Sequence, residues 1–247
     1  MARLAPQPRS ARRPPRHRSR TTTGGRRFPA EVLTDDEVRR LMAACKGPAF
    51  TVARHRALIA LLYRGGLRIS EALRLCPKDV DLGTGAVRVL WGKGGRARTV
   101  GVDPGGLALV AAWAAVRAKA RTGASAVGRG NGAARGPGGG ANGPVGAVAV
   151  LSAPGDHAPL FCTRAGMPLS TGWVRRLMPR LARRAGILKR VHAHGLRHTH
   201  AAQLRAEGID IAVIRRQLGH ASLVTTVRYL DHLAPTAVIE AMAKRVW

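Results

Sequence analysis

Apolar residues recur at intervals of three and four along most of the chain, a spacing that is typical of amphipathic helices. The first helix has a recognisable beginning, because Thr34 followed by Glu37 is the signature of a capping box. The predicted helices cover 34–45, 50–63, a segment that starts at 69, 104–119, 171–185, 197–207, 211–218, 222–230 and 235–245.

Three short segments, 86–91, 96–102 and 159–162, have the composition of strands. The glycine-rich turn Gly92-Lys93-Gly94-Gly95 lies between the first two and predicts a hairpin. The sequence therefore predicts a mainly α fold with one small antiparallel β-sheet, which is an α+β architecture.

Two segments interrupt the periodicity. Residues 1–27 contain nine arginines and no acidic residue, and residues 122–157 contain 11 glycines and three prolines. Neither composition can bury enough apolar surface to offset the entropy of an ordered chain. We expect 1–27 to be a disordered basic arm, with a merely solubilising tail as the alternative. We expect 122–157 to be a low-complexity insertion within a single domain that spans 28–247.

The charge indicates a polyanionic partner. Lys and Arg number 42 against 13 Asp and Glu, a net charge of +29. Basic residues still outnumber acidic ones by 20 when the arm is left out. DNA, RNA and an acidic membrane surface remain as partner classes, while an aromatic content of 4% argues against single-strand binding by base stacking.

The cysteines and the lengths of the apolar runs indicate the cellular compartment and whether the chain spans a membrane. Three widely spaced cysteines predict neither a disulfide framework nor a zinc ribbon, and they favour the reducing cytoplasm. No apolar run reaches the roughly 18 residues of a membrane span. We therefore expect no membrane partner.

Two cations follow glycines, where a backbone can approach another molecule closely. Arg68 lies in Gly65-Gly66-Leu67-Arg68-Ile69-Ser70-Glu71, and Lys93 lies at the tip of the predicted hairpin. Each also has an ordinary interpretation, a surface pair with Glu71 for Arg68 and a solvated turn residue for Lys93.

Four histidines surround Arg197 in the segment from 192 to 200. No cysteine or carboxylate lies close enough to complete a recognisable zinc pattern. His194 and Arg197 form an H-x-x-R pair near a helix N-terminus, where imidazole, guanidinium and backbone N–H groups can converge on a phosphate. We therefore prefer an anion site to a metal site.

The segment Gln217-Leu218-Gly219-His220 leads into a helix that contains Tyr229. Gly219 is expected to end the preceding helix. Leu223, Val227 and Leu230 share one face of the new helix and predict its buried side, and Tyr229 lies roughly 120° away from them. A buried core tyrosine is the alternative interpretation.

Together these motifs resemble the tyrosine recombinases, or phage integrase family, over about 28–247. They are G-L-R-x-S-E-A-L at 66–73, the hairpin lysine, H-x-L-R-H-T-H-A at 194–201, and L-G-H at 218–220 followed nine residues later by tyrosine. The segment 161–170 also resembles the family. The resemblance implies the tyrosine recombinase catalytic-domain fold and a site-specific recombinase that acts on double-stranded DNA.

The resemblance also implies roles for individual residues. Tyr229 attacks the scissile phosphate and becomes joined to the DNA 3′ end. Arg68 and Arg197 hold the non-bridging oxygens, and His194 and His220 complete this cage, with His194 as a candidate base. Lys93 is the general acid for the departing 5′-oxygen. Glu71 orients Arg68, and neither a metal nor a cofactor or small-molecule substrate is required.

Two departures from the family pattern leave alternatives open. Family members usually carry a separate helical domain before the catalytic one, whereas in this sequence the region that resembles the family is preceded by residues 1–27. The insertion at 122–157 is not part of the family pattern either. A DNA-binding fragment or regulator of integrase descent is the alternative function, since 211–218 and 222–230 also fit a helix-turn-helix. In the resembled family a C-terminal helix, here 235–247, docks on a neighbouring protomer, which predicts a homo-oligomer on paired DNA sites. The alternative is that this helix packs back on its own domain.

Overall fold

A computed structural model of the chain describes residues 31–90, 92, 97–127, 157–233 and 242–243. The described part is mostly helical with one antiparallel pair of strands, so the predicted fold class is confirmed. In chain order the elements are α1 (Asp35–Ala43), α2 (Ala49–Tyr63), α3 (Ile69–Ala72), a 3-10 turn (Pro77–Asp79), β1 (Ala86–Val89), β2 (Arg98–Gly101), α4 (Pro104–Val127), α5 (Thr171–Arg184), α6 (Ala193–Ala206), α7 (Ile211–Leu218) and α8 (Leu223–Leu233).

Helix α2 is the centre of the core. Its second half is buried, and it packs against α4 on one side and α6 on another. The Phe50 ring meets Trp113 of α4 edge-on with ring centroids 4.8 Å apart, and the Trp113 indole donates to the Leu160 carbonyl at 2.9 Å. A second, smaller cluster of Ala201, Ile214, Leu218 and Leu230 joins α6, α7 and α8.

The two strands pair antiparallel, with Ala86 opposite Gly101 and Val89 opposite Arg98. The predicted antiparallel pairing is thus confirmed, although the strands are shorter than expected. Lys93, which is predicted to lie at the tip of the hairpin, is outside the described residues. Gln217 fastens β2 to α7, because its side-chain oxygen accepts from Gly101 N at 3.0 Å and its amide donates to Gly101 O at 2.7 Å.

The strand predicted at 159–162 is wrong. In its place the structure has one isolated bridge between Cys162 and Pro168. Leu160 N donates to Leu75 O at 2.7 Å, while the Leu160 carbonyl accepts from Trp113. The Leu160 backbone therefore has two distant partners, while the Phe161 carbonyl accepts from the nearby Leu169 N at 3.2 Å, so the segment forms no continuous ladder with one neighbouring strand.

Two helix boundaries also differ from the prediction. Helix α6 begins at Ala193 rather than at 197, because the His192 ring caps it by accepting from Gly195 N at 3.0 Å. Helix α4 continues to Val127, six residues into the predicted insertion. Residues 128–156 lie outside the described part, as does the predicted arm at 1–27.

Helix α8 buries a different face from the one expected. Leu230 is buried, but Leu223 and Val227 are 45% and 38% exposed, and the buried polar residue Thr226 lies beside Leu230 instead. Of the helix predicted at 235–245 the structure describes Met242 and Ala243, both helical. Within the described ranges, no helix combines the length and apolar character needed to cross a membrane.

Candidate active site

Arg68 stands at the beginning of α3, where Glu71 holds it at two points. The Glu71 carboxylate accepts from Arg68 N at 2.8 Å through Oε2 and from Arg68 Nη1 at 2.7 Å through Oε1. The Glu71 side chain is 2% exposed, whereas that of Arg68 is 24% exposed. Glu71 therefore contacts both the backbone and the side chain of Arg68, as the predicted orienting role requires.

Arg197 lies under this loop. It is 1% exposed, donates from Nη1 to Gly66 O at 2.6 Å, and donates from Nη2 to Leu218 O. Gly66 has a φ of +61°, and a Cβ atom there would come within 2.7 Å of the His200 ring. Arg197 thus joins the loop that carries Arg68 to the loop that carries His220.

The surroundings of His220 determine its tautomer. Its Nε2 lies 3.3 Å from Arg197 Nη2, and its Nδ1 lies 3.1 Å from Thr226 Oγ1. A guanidinium can only donate, so Nε2 accepts, and the ring proton is on Nδ1, which donates to Thr226. Desolvation, followed by the charges of Arg197, Arg68 and Arg98, lowers the pKa of His220 to about 4, which keeps the ring neutral at pH 7.

His194 is exposed at the first turn of α6. Its ring meets that of His198 edge-on, with centroids 4.3 Å apart. Desolvation and the neighbouring charges of Arg197, His192 and Arg68 lower the pKa of His194 below its ordinary value. Within the described ranges, no group of three or more His, Cys, Asp and Glu side chains is arranged to hold a metal ion.

The structure brings four of the six predicted site residues together. Arg197 contacts His220 directly, and the charge of Arg68 acts on both His194 and His220. Tyr229 belongs to α8, three residues after Thr226, but its side chain lies outside the described part. Lys93 also lies outside it, between the ends of β1 and β2.

Comparison with known proteins decides the family. The model of the Phage integrase family matches residues 31–235. The chain belongs to the phage integrase family.

Relatives in the family extend beyond the matched region. The chain is 33% identical to tyrosine recombinase XerC of Thermodesulfovibrio yellowstonii and 36% identical to tyrosine recombinase XerD of Mycobacterium leprae. These matches cover 82% and 92% of the chain but only 60% and 63% of the two relatives. The chain therefore spans about three fifths of the length of these relatives.

Solved structures agree with the fold. The chain resembles the XerH site-specific recombinase bound to its palindromic difH substrate, with a TM-score of 0.62, 26% identity, and coverage of 88% of the chain and 54% of that protein. It also resembles XerA recombinase, with a TM-score of 0.64 and 24% identity over 90% of the chain and 68% of that protein. The second likeness concerns the fold alone.

Three further residues of this family member belong to the site, although the motifs did not assign them a role. Arg98 contacts Glu71, Gln217 ties β2 to α7, and Thr226 contacts His220. For Arg98 the sequence contained a signal that could have predicted its place in the site. A strand places residues i and i+2 on the same face, so Arg98 shares a face with Val100, which is buried. A cation on the inner face of a strand needs a buried acceptor. Gln217 and Thr226 had no comparable signal.

Proposed function

We propose that this chain is the catalytic part of a site-specific DNA recombinase or integrase that cleaves and rejoins strands through a 3′-phosphotyrosyl intermediate. The observation that carries the proposal is the set of cationic and imidazole groups formed by Arg68, Arg197, His194 and His220, in which Arg197 contacts His220 and the charges of both arginines act on both imidazoles. Arg197 is held by backbone carbonyls, which have no net charge with which to cancel its own. Such a set suits a phosphate whose negative charge grows during the reaction.

The proposed step exchanges one phosphodiester bond for another. The Tyr229 hydroxyl attacks the phosphorus, the bond from phosphorus to the 5′-oxygen breaks, and the new phosphotyrosyl bond retains the 3′ end. His194 accepts the tyrosine proton, which its lowered pKa permits because the ring is unprotonated at pH 7. Lys93 supplies the proton for the departing 5′-oxygen. Because the phosphotyrosyl bond is itself a phosphodiester, rejoining needs no cofactor.

Arg68 and Arg197 have different positions in this proposal. The exposed edge of Arg68 makes the direct contact with the non-bridging oxygens. Arg197 is nearly inaccessible and contacts Gly66, Leu218 and His220, so it forms the floor of the site and contributes its charge from below.

Double-stranded DNA is the proposed partner, and the cytoplasm is the proposed location. Helix α5 supports the first, because five exposed arginines project from it while its opposite side is buried: Arg175, Arg176, Arg180, Arg183 and Arg184. The three free cysteines fit a reducing compartment. Assembly as a homo-oligomer on paired sites is supported by the exposed apolar residues Leu223, Val224 and Val227 of α8.

The test traps the covalent intermediate. The protein is incubated with a pool of randomised duplexes that carry a nick near their centre, so that cleavage releases a short fragment and cannot be reversed. Adducts are recovered from a denaturing gel and their DNA is sequenced, which also gives the cleaved site. Duplex binding without any adduct would contradict the proposal and favour a DNA-binding fragment or regulator of the same family.

A further inference from the structure

Arg98 forms a two-pronged contact with the buried Glu71 carboxylate. Its Nη1 lies 2.9 Å from Oε1 and its Nη2 lies 2.9 Å from Oε2. The Arg98 side chain is 12% exposed, which places this pair away from most solvent. Paired geometry of this kind is the strongest that a guanidinium makes with a carboxylate.

The same carboxylate binds Arg68 differently. Oε1 accepts from Arg68 Nη1 and Oε2 accepts from the Arg68 backbone N–H. Each oxygen thus has two donors, which uses the roughly four lone-pair directions that a carboxylate offers. Within the described part of the chain, the Arg68 guanidinium donates to Glu71 through Nη1 alone, and this side chain keeps an exposed edge.

The charges of Glu71, Arg68 and Arg98 also depend on how the carboxylate is shared. Burial by itself raises the pKa of Glu71, but the hydrogen bonds and charges of Arg98 and Arg68 lower it to about 2, so the group is an anion at pH 7. One anion then faces two cations, and the trio retains one positive charge. Without Arg98, Glu71 and Arg68 would form a neutral pair.

A close approach to the L-G-H turn keeps Arg98 in place. Its Nε lies 3.4 Å from the Gln217 carbonyl. Gly219 has a φ of +63°, and a Cβ atom there would come within 2.7 Å of Arg98 Cδ and Nε. Glycine at this position therefore has two roles. It permits the left-handed conformation that ends α7, and it leaves the space through which the Arg98 side chain reaches Glu71.

We infer that Arg98 is a positioning residue for Arg68: by occupying the paired geometry of the Glu71 carboxylate, it limits Arg68 to a single side-chain contact and keeps the rest of that guanidinium available to the scissile phosphate. The inference deepens the proposed function and rests on it. Without Arg98, the buried carboxylate turns toward Arg68, takes it in a two-pronged pair, and withdraws it from the substrate.

The experiment compares four variants with a matched control: Arg98→Ala, Arg98→Lys, Glu71→Gln, Arg98→Ala with Glu71→Gln, and the control Arg64→Ala. Arg64 pairs with Asp103 at 3.4 Å on the surface, so its loss removes the same charge without touching Glu71. Single-turnover adduct formation, duplex affinity and melting temperature are measured for each. The substrate is the nicked duplex recovered with the wild-type chain, with either an ordinary phosphate or a neutral methylphosphonate at the scissile position.

We expect Arg98→Ala to slow adduct formation by about 10- to 100-fold, less than the roughly 10²–10³ that follows complete loss of a preorganised donor, because Arg68 itself is still present. Duplex affinity should stay close to that of Arg64→Ala. Arg98→Lys keeps the charge without the paired geometry, so its rate should lie between those of Arg98→Ala and the wild-type chain. On the methylphosphonate the defect should shrink, because Arg68 then has less charge to stabilise. The loss from Arg98→Ala should also be much smaller in the Glu71→Gln background.

A purely structural role predicts another outcome. The defect would then be equal on both substrates and in both Glu71 backgrounds, and that result overturns the inference. If Arg98→Ala does not fold, Arg98→Lys, made alone and together with Glu71→Gln, gives the same two comparisons. If the wild-type chain forms no adduct, the proposed function fails, and side-chain ¹⁵N NMR still decides the inference: the Arg68 guanidinium signals must change in Arg98→Lys but not in Arg64→Ala.

Discussion

Replacement of Thr226 by valine tests how the site is tied to the helix that carries Tyr229. Valine keeps the shape of this fully buried side chain and removes its hydroxyl. That hydroxyl is the acceptor for His220 Nδ1 at 3.1 Å and also donates to Ser222 O at 3.4 Å. The substitution therefore deletes the bond between His220 and α8 without creating a cavity.

The loss of stability expected for Thr226→Val follows from the tautomer of His220. If His220 keeps its proton on Nδ1, that group loses the acceptor it uses in the structure. If the proton moves to Nε2, it faces the Nη2 donor of Arg197 instead. Either choice costs about 1–3 kcal/mol, the usual penalty for removing one partner of a buried hydrogen bond. For a domain of this size that corresponds to a melting temperature lower by about 2–12 °C.

The assay combines thermal unfolding, ¹⁵N NMR of the histidine rings, and single-turnover adduct formation. Thr51→Val is the matched control, since Thr51 lies in the first turn of α2, away from His220 and α8. We expect Thr226→Val to lower stability and to slow adduct formation by about tenfold, if the cost is carried into the transition state at about 1.4 kcal/mol per decade. An unchanged melting temperature, rate and His220 spectrum would refute the assigned tautomer and the link to α8.

Three further predictions concern the nucleophile, the DNA surface and pH. Tyr229→Phe should abolish adducts on the denaturing gel while duplex affinity stays unchanged in gel shifts; an adduct formed by the variant would show that another residue is the nucleophile. The double replacement Arg175→Ala and Arg176→Ala should reduce the slope of log K against log salt by about 0.9 for each phosphate that is no longer neutralised, and an unchanged slope would remove this face of α5 from the interface. Burial, followed mainly by nearby cations, lowers the pKa of His55 and His200 to about 4. Because the unfolded chain takes up these protons near pH 6.5, stability should fall as pH drops from about 6.5 to 4, whereas a melting temperature that is constant across this window would contradict the shifts.

Local signals in the sequence were sufficient for much of the fold. The capping box of Thr34 and Glu37 begins α1 as predicted, and Gly219 ends α7 with a left-handed φ. Both features depend on residues within one turn of each other. The prediction at 159–162 failed because Leu75 and Trp113, which satisfy the backbone of Leu160, are distant in sequence.

The site shows the same division between local and distant information. The pairing of Arg68 with Glu71 was predictable, since three residues separate them on one turn. The contacts of Arg98 with Glu71 and of Arg197 with Gly66 join residues 27 and 131 positions apart, and composition or periodicity cannot supply such pairs. Periodicity also misassigned the buried side of α8, because Thr226 is buried for its hydrogen bond with His220 rather than for its hydrophobicity.

The hydrogen-bond acceptors of the site explain how it keeps its positive charge. A carboxylate holds a guanidinium by cancelling its charge, whereas a backbone carbonyl holds it and leaves the charge in place. In the described part of the chain, Glu71 serves both Arg68 and Arg98, while Arg197 is held by the carbonyls of Gly66 and Leu218. Within these contacts, one anion thus stands against three arginines, two of which it binds. Desolvation, followed by the resulting excess of positive charge, lowers the pKa of His220 and keeps its ring neutral. The same excess leaves the site short of the negative charge that a phosphate supplies.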